Sequence, residues 1–350
     1  MSFPSRFAVG ERLIGHGEPT YVIAEAGSNH NKDLDIAKQL IDVAAVAGAD
    51  AIKFQTYSGN LIYSRKAESR FLKQWTDRTP AELLEDISLP REWHAELAGY
   101  ARSRGLDFFS APFDHDAVAL LAEVGSPLLK IASGEIVDLP LIRAAAATGL
   151  PLIISTGMAT LAEVEDAVNA AAQAGAPAVG LMQCASIYPA PVERINLRAM
   201  DTLRTAFGVP AGLSDHSTGI SVPIAAAALG AAFIEKHITL DRSMPGPDHG
   251  FAIEPEELVA MVRGVRDAEA AMGDGRKDGP SPEEREENYT LGRRSLMATR
   301  DLPAGTVLRG DMITAKRPGF GIAPKHLELV IGRTLRSDVE ADDVLTWDVV

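Results

Sequence analysis

The sequence predicts a (β/α)8 barrel, the TIM-barrel fold, at residues 1–272 and a small second domain at 289–350. Short apolar runs alternate with alanine-rich stretches of helical periodicity, and eight such units follow one another. Eight regular units in about 250 residues favour a closed barrel over the alternative, a doubly wound sheet. Residues 273–288 are polar, rich in glycine and broken by two prolines, which predicts a linker between the domains.

The predicted strands are short apolar runs, and the predicted helices carry apolar residues at helical spacing. The strands lie at 21–24, 51–54, 107–109, 128–131, 152–154, 179–182, 209–213 and 233–234. The helical patterns include 33–47, 93–104, 161–174 and 223–229. Glycine is the residue expected just past a helix, and several of these stretches are followed by one: Gly48, Gly105, Gly149, Gly175 and Gly230.

The composition predicts a globular protein of the cytoplasm. Hydrophobic residues make up 46% of the 350 and charged residues 23%, which is enough apolar surface for a large core. No apolar run approaches the ~18 residues of a membrane span, and residues 1–10 lack a signal-peptide layout. The net charge of −14 argues against nucleic acid or an anionic membrane as a partner. A single cysteine, Cys184, excludes an intramolecular disulfide and indicates a reducing compartment.

Every predicted barrel strand ends in polar side chains. In chain order they are Glu25, Lys53, Gln55, Ser110, Lys130, Ser133, Ser155, Ser186, Ser214, His216, Glu235 and His237. Strands must leave a core through polar residues, and this alternative explains the serines. It does not explain lysines and histidines within apolar runs, because a buried unpaired charge is costly. We therefore predict an active site at the carboxyl ends of the strands.

Two histidines, His216 and His237, end neighbouring predicted strands, and each follows an acidic residue by one or two places. Two imidazoles on adjacent rigid elements can share a divalent metal and leave positions open for water or substrate. Such a metal would polarise a carbonyl group. The alternative is a pair of histidines that only satisfy local hydrogen bonds.

Two strand lysines, Lys53 and Lys130, are predicted to point into the mouth of the barrel. With Ser133, Ser155, Ser186 and Ser214 they form a set of donors suited to phosphate and carboxylate groups. Two alternatives stay open. Either lysine can pair with a barrel carboxylate, and Lys130 can act as a Schiff-base lysine in a metal-free aldolase.

Three further features bear on the predicted site. Glu25 lies beside a glycine turn, where its carboxylate can serve as an acid, a base or the orienter of a water. The loop at 244–251 contains two prolines and two glycines, which leaves Asp248 and His249 free to face a substrate unless it is an ordinary surface loop. Cys184 is predicted to be buried, without a chemical role.

The second domain offers one candidate site residue. About sixty residues make only a marginal core unless they dock on another surface. Arg317 lies in a Pro-Gly turn and can contact a substrate at a barrel mouth, which the linker allows to be that of a partner subunit. The alternative is a turn arginine exposed to water.

The chain resembles the sialic acid synthase family, the phosphoenolpyruvate-dependent synthases of nine-carbon 2-keto sugar acids. The matching motifs are IAEAGSNHN at 23–31, AIKFQT at 51–56, KIASGE at 130–135, STGM at 155–158, GLSDH at 212–216, IEKH at 234–237, PGPDH at 245–249 and KRPG at 316–319. The stretch at 319–324 is similar to the legionaminate, pseudaminate and spore-coat polysaccharide branches. The resemblance implies a barrel, a C-terminal antifreeze-like (SAF) domain and a domain-swapped homodimer.

The resemblance also implies the chemistry and assigns residues to it. The enzyme would condense phosphoenolpyruvate with an open-chain N-acylated hexosamine and release phosphate. Mn²⁺ or Mg²⁺ would bind to His216 and His237, and Glu25 and Glu235 match acidic active-site positions. Phosphoenolpyruvate contacts fall on Lys53, Lys130, Ser133, Ser155 and Ser214, with Ser186 in the same pocket. Amino-sugar contacts fall on Gln55, Tyr188, Asp248 and, from the other subunit, Arg317. A Schiff-base pyruvate lyase using Lys130 and a non-catalytic glycan-binding protein stay open as alternatives.

Overall fold

The structure is a computed structural model that describes residues 3–64, 66–67, 78–286 and 288–350. It divides into two compact units, Met1–Gly273 and Asp274–Val350. Across the described ranges, no helix is both long and apolar enough to cross a membrane.

The first unit opens with an antiparallel hairpin, β1 (Arg6–Val9) and β2 (Arg12–Gly15), that the sequence analysis did not predict. Its apolar side chains Phe7, Val9 and Ile14 are buried in one cluster with Phe233 at the start of the last barrel strand. The ring centroids of Phe7 and Phe233 lie 6.0 Å apart. The hairpin therefore packs against the amino-terminal end of the barrel, opposite the end where an active site is expected.

Eight parallel strands follow the hairpin. They are β3 (Tyr21–Gly27), β4 (Ala51–Thr56), β5 (Asp107–Pro112), β6 (Leu129–Ile131), β7 (Leu152–Ser155), β8 (Val179–Cys184), β9 (Ala211–Asp215) and β10 (Phe233–His237). Hydrogen-bonded neighbours run in the order β5-β4-β3-β10-β9-β8-β7-β6, and β5 and β6 lie side by side. The ring is thus nearly closed, which confirms the predicted barrel and makes the doubly wound alternative wrong.

Helices connect the strands, and most of them pack against the outside of the barrel. They are α1 (Leu34–Ala47), α2 (Gly59–Ile62), α3 (Pro80–Ile87), α4 (His94–Ser103), α5 (His115–Glu123), α6 (Leu139–Ala146), α7 (Leu161–Gln173), α8 (Ala199–Phe207), α9 (Ser221–Ala228) and α10 (Pro255–Met272). The side chain of Asp33 accepts hydrogen bonds from the first turn of α1, and Gly48 ends that helix at a φ of 77°. Glycine adopts this left-handed backbone conformation at little cost in free energy. This is why a glycine in the sequence correctly predicted the end of the helix.

The second unit has a small core of its own. Its elements are α11 (Pro282–Glu286), α12 (Asn288–Gly292), β11 (Ser295–Ala298), β12 (Ile313–Lys316) and α13 (Leu327–Val330), and β11 pairs with β12 antiparallel. Leu296, Ile322 and Leu345 are among its buried apolar side chains. The stretch predicted as a linker contains α11, because Ser281 and Glu284 exchange hydrogen bonds between side chain and backbone and start a helical turn.

Candidate active site

The carboxyl ends of the barrel strands surround a cavity of about 540 Å³. Most of the predicted site residues of the barrel line it: Glu25, Lys53, Gln55, Lys130, Ser133, Ser155, Ser186, Tyr188, Ser214, His216, Glu235, His237 and Asp248. Arg317 belongs to the second unit, where its side chain is exposed, so its contact with a substrate stays a prediction. The structure thus brings together residues from seven of the eight strands or the loops that follow them.

Two lysines and two glutamates form a buried cluster in this cavity. The Nζ atom of Lys53 lies 2.8 Å from Oε2 of Glu25 and 3.7 Å from Oε1 of Glu235. The Nζ atom of Lys130 donates to Oε2 of Glu235 at 2.8 Å. Both lysines therefore make the ion pairs that the sequence analysis weighed as an alternative, and they make them within the cavity. With two charges of each sign, the cluster is electrically balanced.

The cluster pushes the pKa values of the two glutamates in opposite directions. Burial raises the pKa of Glu25, and Lys53 only partly opposes this. Burial also acts to raise the pKa of Glu235, but Lys130 and Lys53 outweigh it and lower the pKa to about 2. Gln55 Nε2 donates to Oε1 of Glu25 at 2.8 Å and fixes its orientation. Glu25 is therefore the carboxyl better suited to carry a proton, whereas Glu235 stays charged.

The two predicted metal-binding histidines lie side by side. Their ring centroids are 5.3 Å apart, and both side chains are nearly buried. His216 Nδ1 donates to the carbonyl oxygen of Ala185 at 2.9 Å, which leaves Nε2 as the unprotonated nitrogen of a neutral imidazole. The Nδ1 atom of His237 is buried and, among the described residues, has no hydrogen-bond partner. The ring of Phe251 packs against the ring of His237, with 5.0 Å between their centroids, and restricts its orientation.

The residues present fit a catalytic metal better than a structural one. A buried ring nitrogen without a partner is costly, and a metal or substrate atom at that nitrogen would satisfy it. Within the described ranges, no three His, Cys, Asp or Glu side chains converge as a metal-binding group. A metal held by His216 and His237 would therefore keep most of its positions for substrate and water.

A second group of donors lies on β7 and the loops after β6 and β8. The backbone N–H of Gly157 donates to Oγ of Ser133 at 3.1 Å. The hydroxyls of Ser155 and Ser186 are buried, and the described part of the chain offers neither of them a partner. A Cβ atom on Gly157 would come within 2.3 Å of Ser186 Oγ and 2.7 Å of Ser133 Oγ, so a larger residue at 157 would displace these hydroxyls. Buried hydroxyls that lack partners are expected where an oxygen-rich ligand binds.

Ser155→Ala is expected to leave the free energy of unfolding unchanged or slightly increased, because it removes a buried hydroxyl for which the described residues offer no hydrogen-bond partner. If Ser155 contacts phosphoenolpyruvate, as the resemblance implies, the affinity for that ligand should fall about tenfold or more, the usual effect of losing a hydrogen bond to a charged group. Chemical denaturation and calorimetry measure the two quantities. The matched control is Ser214→Ala, which removes a hydroxyl that donates to Glu235 at 3.0 Å and should destabilise the protein. Equal destabilisation by both changes would contradict the prediction.

One wall of the cavity is apolar. It consists of side chains from α2, α3 and the residue after α2: Ile62, Tyr63, Pro80, Leu83, Leu84 and Ile87. The sequence analysis did not anticipate this wall, because the segment has no long periodic pattern. It also gave no role to Glu135, which lines the cavity and whose pKa burial raises to about 7. The sequence could have indicated Glu135, since it is the last residue of the KIASGE motif.

Two expectations about single residues are resolved by the structure. His249 does not face the cavity, because its Nδ1 atom lies 2.7 Å from Thr239 Oγ1 and its Nε2 atom 3.3 Å from Asn31 Oδ1. The prediction that it is free to meet a substrate is therefore wrong. Cys184 is buried as predicted, but it lines the cavity with its Sγ atom 3.6 Å from His216 Nδ1.

The sequence and the fold match known proteins over nearly the whole chain. A model of the NeuB family matches residues 40–277, and a model of the SAF domain matches residues 293–350. The chain is 40% identical to N,N'-diacetyllegionaminic acid synthase of Legionella pneumophila, over 97% of each chain. It is 39% identical to the protein of the same name from Campylobacter jejuni, over 93% of this chain and 98% of that one.

A solved structure agrees with these sequence matches. N-acetylneuraminic acid (sialic acid) synthetase from Leptospira borgpetersenii, crystallised with citrate, gives a TM-score of 0.73 at 35% identity. The alignment covers 82% of this chain and 96% of that one. Since the family match spans more than half of the chain and the relatives align with it almost end to end, the protein belongs to the NeuB family and carries a SAF domain at its C-terminal end.

Proposed function

We propose that this protein condenses phosphoenolpyruvate with an open-chain N-acylated hexosamine, giving a nine-carbon 2-keto sugar acid and phosphate. It is an enzyme, a transferase that forms carbon–carbon bonds. The observation that carries the proposal is one cavity in which anion-binding donors lie next to two imidazoles able to hold a metal. The first set suits phosphoenolpyruvate, and the second suits the aldehyde of the sugar.

Phosphoenolpyruvate would lie among Lys53, Lys130 and the hydroxyls of Ser155 and Ser186. Both lysines are already paired with carboxylates, so the lysine–glutamate cluster adds little net charge of its own. The serine hydroxyls contribute donors without requiring an ion pair to break. Phosphoenolpyruvate would share the lysines with Glu25 and Glu235, and this sharing fixes its orientation.

In the reaction, carbon 3 of phosphoenolpyruvate attacks the aldehyde carbon of the sugar, and the electron pair of its double bond forms the new carbon–carbon bond. The π electron pair of the aldehyde moves to its oxygen, which becomes a hydroxyl group by taking one proton of the water that adds at carbon 2. The tetrahedral product then expels phosphate as the bond between carbon 2 and the phosphate oxygen breaks, and the second proton of the water leaves with the phosphate as the 2-keto group forms. Glu25 takes the proton of that water, a role that its raised pKa supports. Glu235 remains ionised between the lysines and stabilises positive charge that develops at carbon 2.

We assign His216 and His237 as the residues that would hold the metal, Mn²⁺ or Mg²⁺. When bound, such an ion supplies Lewis-acid polarisation of the aldehyde oxygen. Tyr188 and Asp248 border this part of the cavity, with the Tyr188 ring 4.3 Å from that of His216 and Asp248 Oδ2 3.9 Å from His237 Nδ1. Both side chains are thus in reach of a sugar whose aldehyde faces the imidazoles.

The acceptor we favour is a 2,4-diacetamido-trideoxyhexose. The apolar wall formed by α2 and α3 supports this choice, because it offers a surface for acyl methyl groups and for a deoxy carbon. A hydroxyl set against Leu83 and Leu84 without a partner costs about 1–3 kcal/mol. N-acetylmannosamine, which carries more hydroxyls, should therefore be the poorer acceptor by about tenfold or more. The names of the two bacterial relatives point to the same class of product.

We further propose that the enzyme works as a domain-swapped homodimer in the cytoplasm, with Arg317 of one subunit contacting the sugar in the other. Exposed apolar side chains in the segments that follow β6, β7 and β8, including the first residue of α7, support a covered surface at the barrel mouth. They are Val137, Met158, Leu161, Ile187 and Val192. A single buried cysteine supports the reducing compartment.

The test is release of phosphate from phosphoenolpyruvate with a panel of acceptors. We expect release that depends on Mn²⁺ or Mg²⁺ and is faster with 2,4-diacetamido-trideoxyhexoses than with N-acetylmannosamine. The matched control is a reaction without sugar, in which phosphate should stay bound in phosphoenolpyruvate. Absence of release with every acceptor would overturn the proposed reaction.

The same preparation separates the proposal from a Schiff-base lyase. Burial lowers the pKa of Lys130, although Glu235 opposes this, and a neutral amine is what Schiff-base chemistry needs. Borohydride treatment with pyruvate should leave the enzyme active and unmodified in mass. A covalent adduct at Lys130, together with activity that survives EDTA, would favour the lyase instead.

A further inference from the structure

The strands β9 and β10 pair in a register that places successive residue pairs on opposite faces of the sheet. Ser214 pairs with Glu235, and both line the cavity. One residue further along, Asp215 pairs with Lys236. Because side chains alternate along a strand, this second pair points away from the cavity, toward the outside of the barrel. His216 and His237 come directly after it and line the cavity again.

The Asp215–Lys236 pair is buried and strongly connected. Both residues are only 1% exposed, and the Nζ atom of Lys236 lies 2.6 Å from Oδ2 of Asp215. Lys236 also donates to the carbonyl oxygen of Ser217. In turn the backbone N–H and the hydroxyl of Ser217 donate to the two carboxylate oxygens of Asp215, each at 3.0 Å. The pair therefore ties together β10, β9 and the first turn of the loop after β9.

We propose that Asp215 and Lys236 are positioning residues, which hold the ends of β9 and β10 so that His216 and His237 lie side by side as a metal-binding pair. Each histidine is the next residue in the chain after one member of the ion pair. A shift of one strand along the other would therefore move the two imidazole rings apart. Metal ligands must be held to about 0.5 Å, and mutation of the groups that orient them commonly costs 10–100-fold in affinity. This inference rests on the proposed function, because it concerns the metal that the reaction would use.

A second ion pair, which is only partly buried, provides the comparison. At the amino-terminal end of the barrel, Asp50 lies just before β4 and accepts from Arg266 at 2.9 Å and from the backbone of Val22 at 2.8 Å. It also joins separate elements, but it lies at the other end of the strands from the histidines. If both pairs only stabilise the fold, breaking either should have the same kind of effect. If the inference is right, only the pair at 215 and 236 affects metal binding.

The experiment measures the dissociation constant of Mn²⁺ for the full chain by calorimetry or electron paramagnetic resonance. We expect Asp215→Asn and Lys236→Met to weaken Mn²⁺ binding 10–100-fold. Lys236→Arg, which keeps the charge, should retain more affinity than Lys236→Met. Asp50→Asn should lower the thermal midpoint but leave the dissociation constant within about twofold of the unchanged protein.

Every outcome bears on the inference. Wild-type affinity in Asp215→Asn and Lys236→Met, or equal loss in Asp50→Asn, would overturn it while leaving the proposed reaction intact. Failure of the unchanged protein to bind Mn²⁺ would overturn both the inference and the metal assignment. If neither variant of the pair folds, Ser217→Ala removes only one hydrogen bond to Asp215. It should still weaken Mn²⁺ binding by a few-fold, and unchanged binding there would count against the inference.

Discussion

His216→Ala is expected to lower kcat by about 10³-fold at saturating Mn²⁺ and phosphoenolpyruvate, an increase of about 4 kcal/mol in the barrier. His237→Ala should have a similar effect. The imidazoles lie with their centroids 5.3 Å apart at the end of adjacent strands, and removal of either leaves a single ligand. A metal held by one histidine is bound weakly and is free to move away from the aldehyde. Steady-state phosphate release with increasing Mn²⁺ measures the effect.

The control for these changes is His94→Ala. His94 is as buried as the other two, but its Nε2 atom lies 2.7 Å from Thr56 Oγ1, and it is not one of the described residues that line the cavity. We expect this variant to lose stability and to keep most of its turnover. Undiminished turnover in His216→Ala would exclude the metal assignment. A loss in His94→Ala as large as that in His216→Ala would point to a general structural effect instead.

Glu235→Gln is expected to destabilise the barrel by about 3–5 kcal/mol, because it leaves buried ammonium groups without their carboxylate. Lys130 would lose its 2.8 Å ion pair, and Lys53 would keep only Glu25. Ser214, which donates to Glu235 at 3.0 Å, would lose a charged acceptor. The free energy of unfolding by chemical denaturation measures the effect at neutral pH, where Glu235 is ionised.

A double variant tests whether uncompensated charge is the cause. Glu235→Gln with Lys130→Met removes one charge of each sign, so it should recover a large part of the stability that Glu235→Gln loses. Both variants should fail to release phosphate, because each lacks a group assigned to the reaction. A change of less than about 1 kcal/mol in Glu235→Gln would mean that water reaches the cluster and screens it.

These two predictions describe different halves of one cavity. The lysine–glutamate cluster holds its charges in balance before any substrate binds. The imidazole side keeps a nitrogen of His237 that finds no partner within the described ranges. In the proposed reaction, anion binding and carbonyl polarisation would depend on separate residues, so variants of the two sets should differ in effect. Changes at the lysines should raise the KM for phosphoenolpyruvate, and changes at the histidines should lower kcat.

Much of the site was predictable because barrel strands alternate with helices in a regular order. Each strand was recognisable in the sequence as an apolar run. In a parallel barrel, the polar residues at the carboxyl ends of all strands lie at the same rim. Lys53, Lys130, His216 and His237 stood out because charged or titratable groups within apolar runs need a partner or a function. The motifs then indicated the protein family, and the family indicated the type of reaction.

Other features were not predictable, since they depend on pairings between distant residues. The hairpin at 6–15 is too short to show a clear sequence pattern, and packing against the barrel, with Phe7 beside Phe233, stabilises it. His249 was expected to face a substrate, but a hydrogen bond to Thr239 turns it away. The apolar wall from α2 and α3 arises from elements that have no long periodic pattern.

By itself, the sequence determined the eight strands, the rim at which the functional groups gather and the family to which the protein belongs. Local periodicity and fixed motifs carry that information, because they need no knowledge of which distant residues meet. The tertiary structure decided which lysine pairs with which glutamate, which histidine nitrogen finds no partner among the described residues, and that Asp215 pairs with Lys236 on the other face of the strands. Such choices follow from strand register and from burial, and both exist only once the barrel has closed.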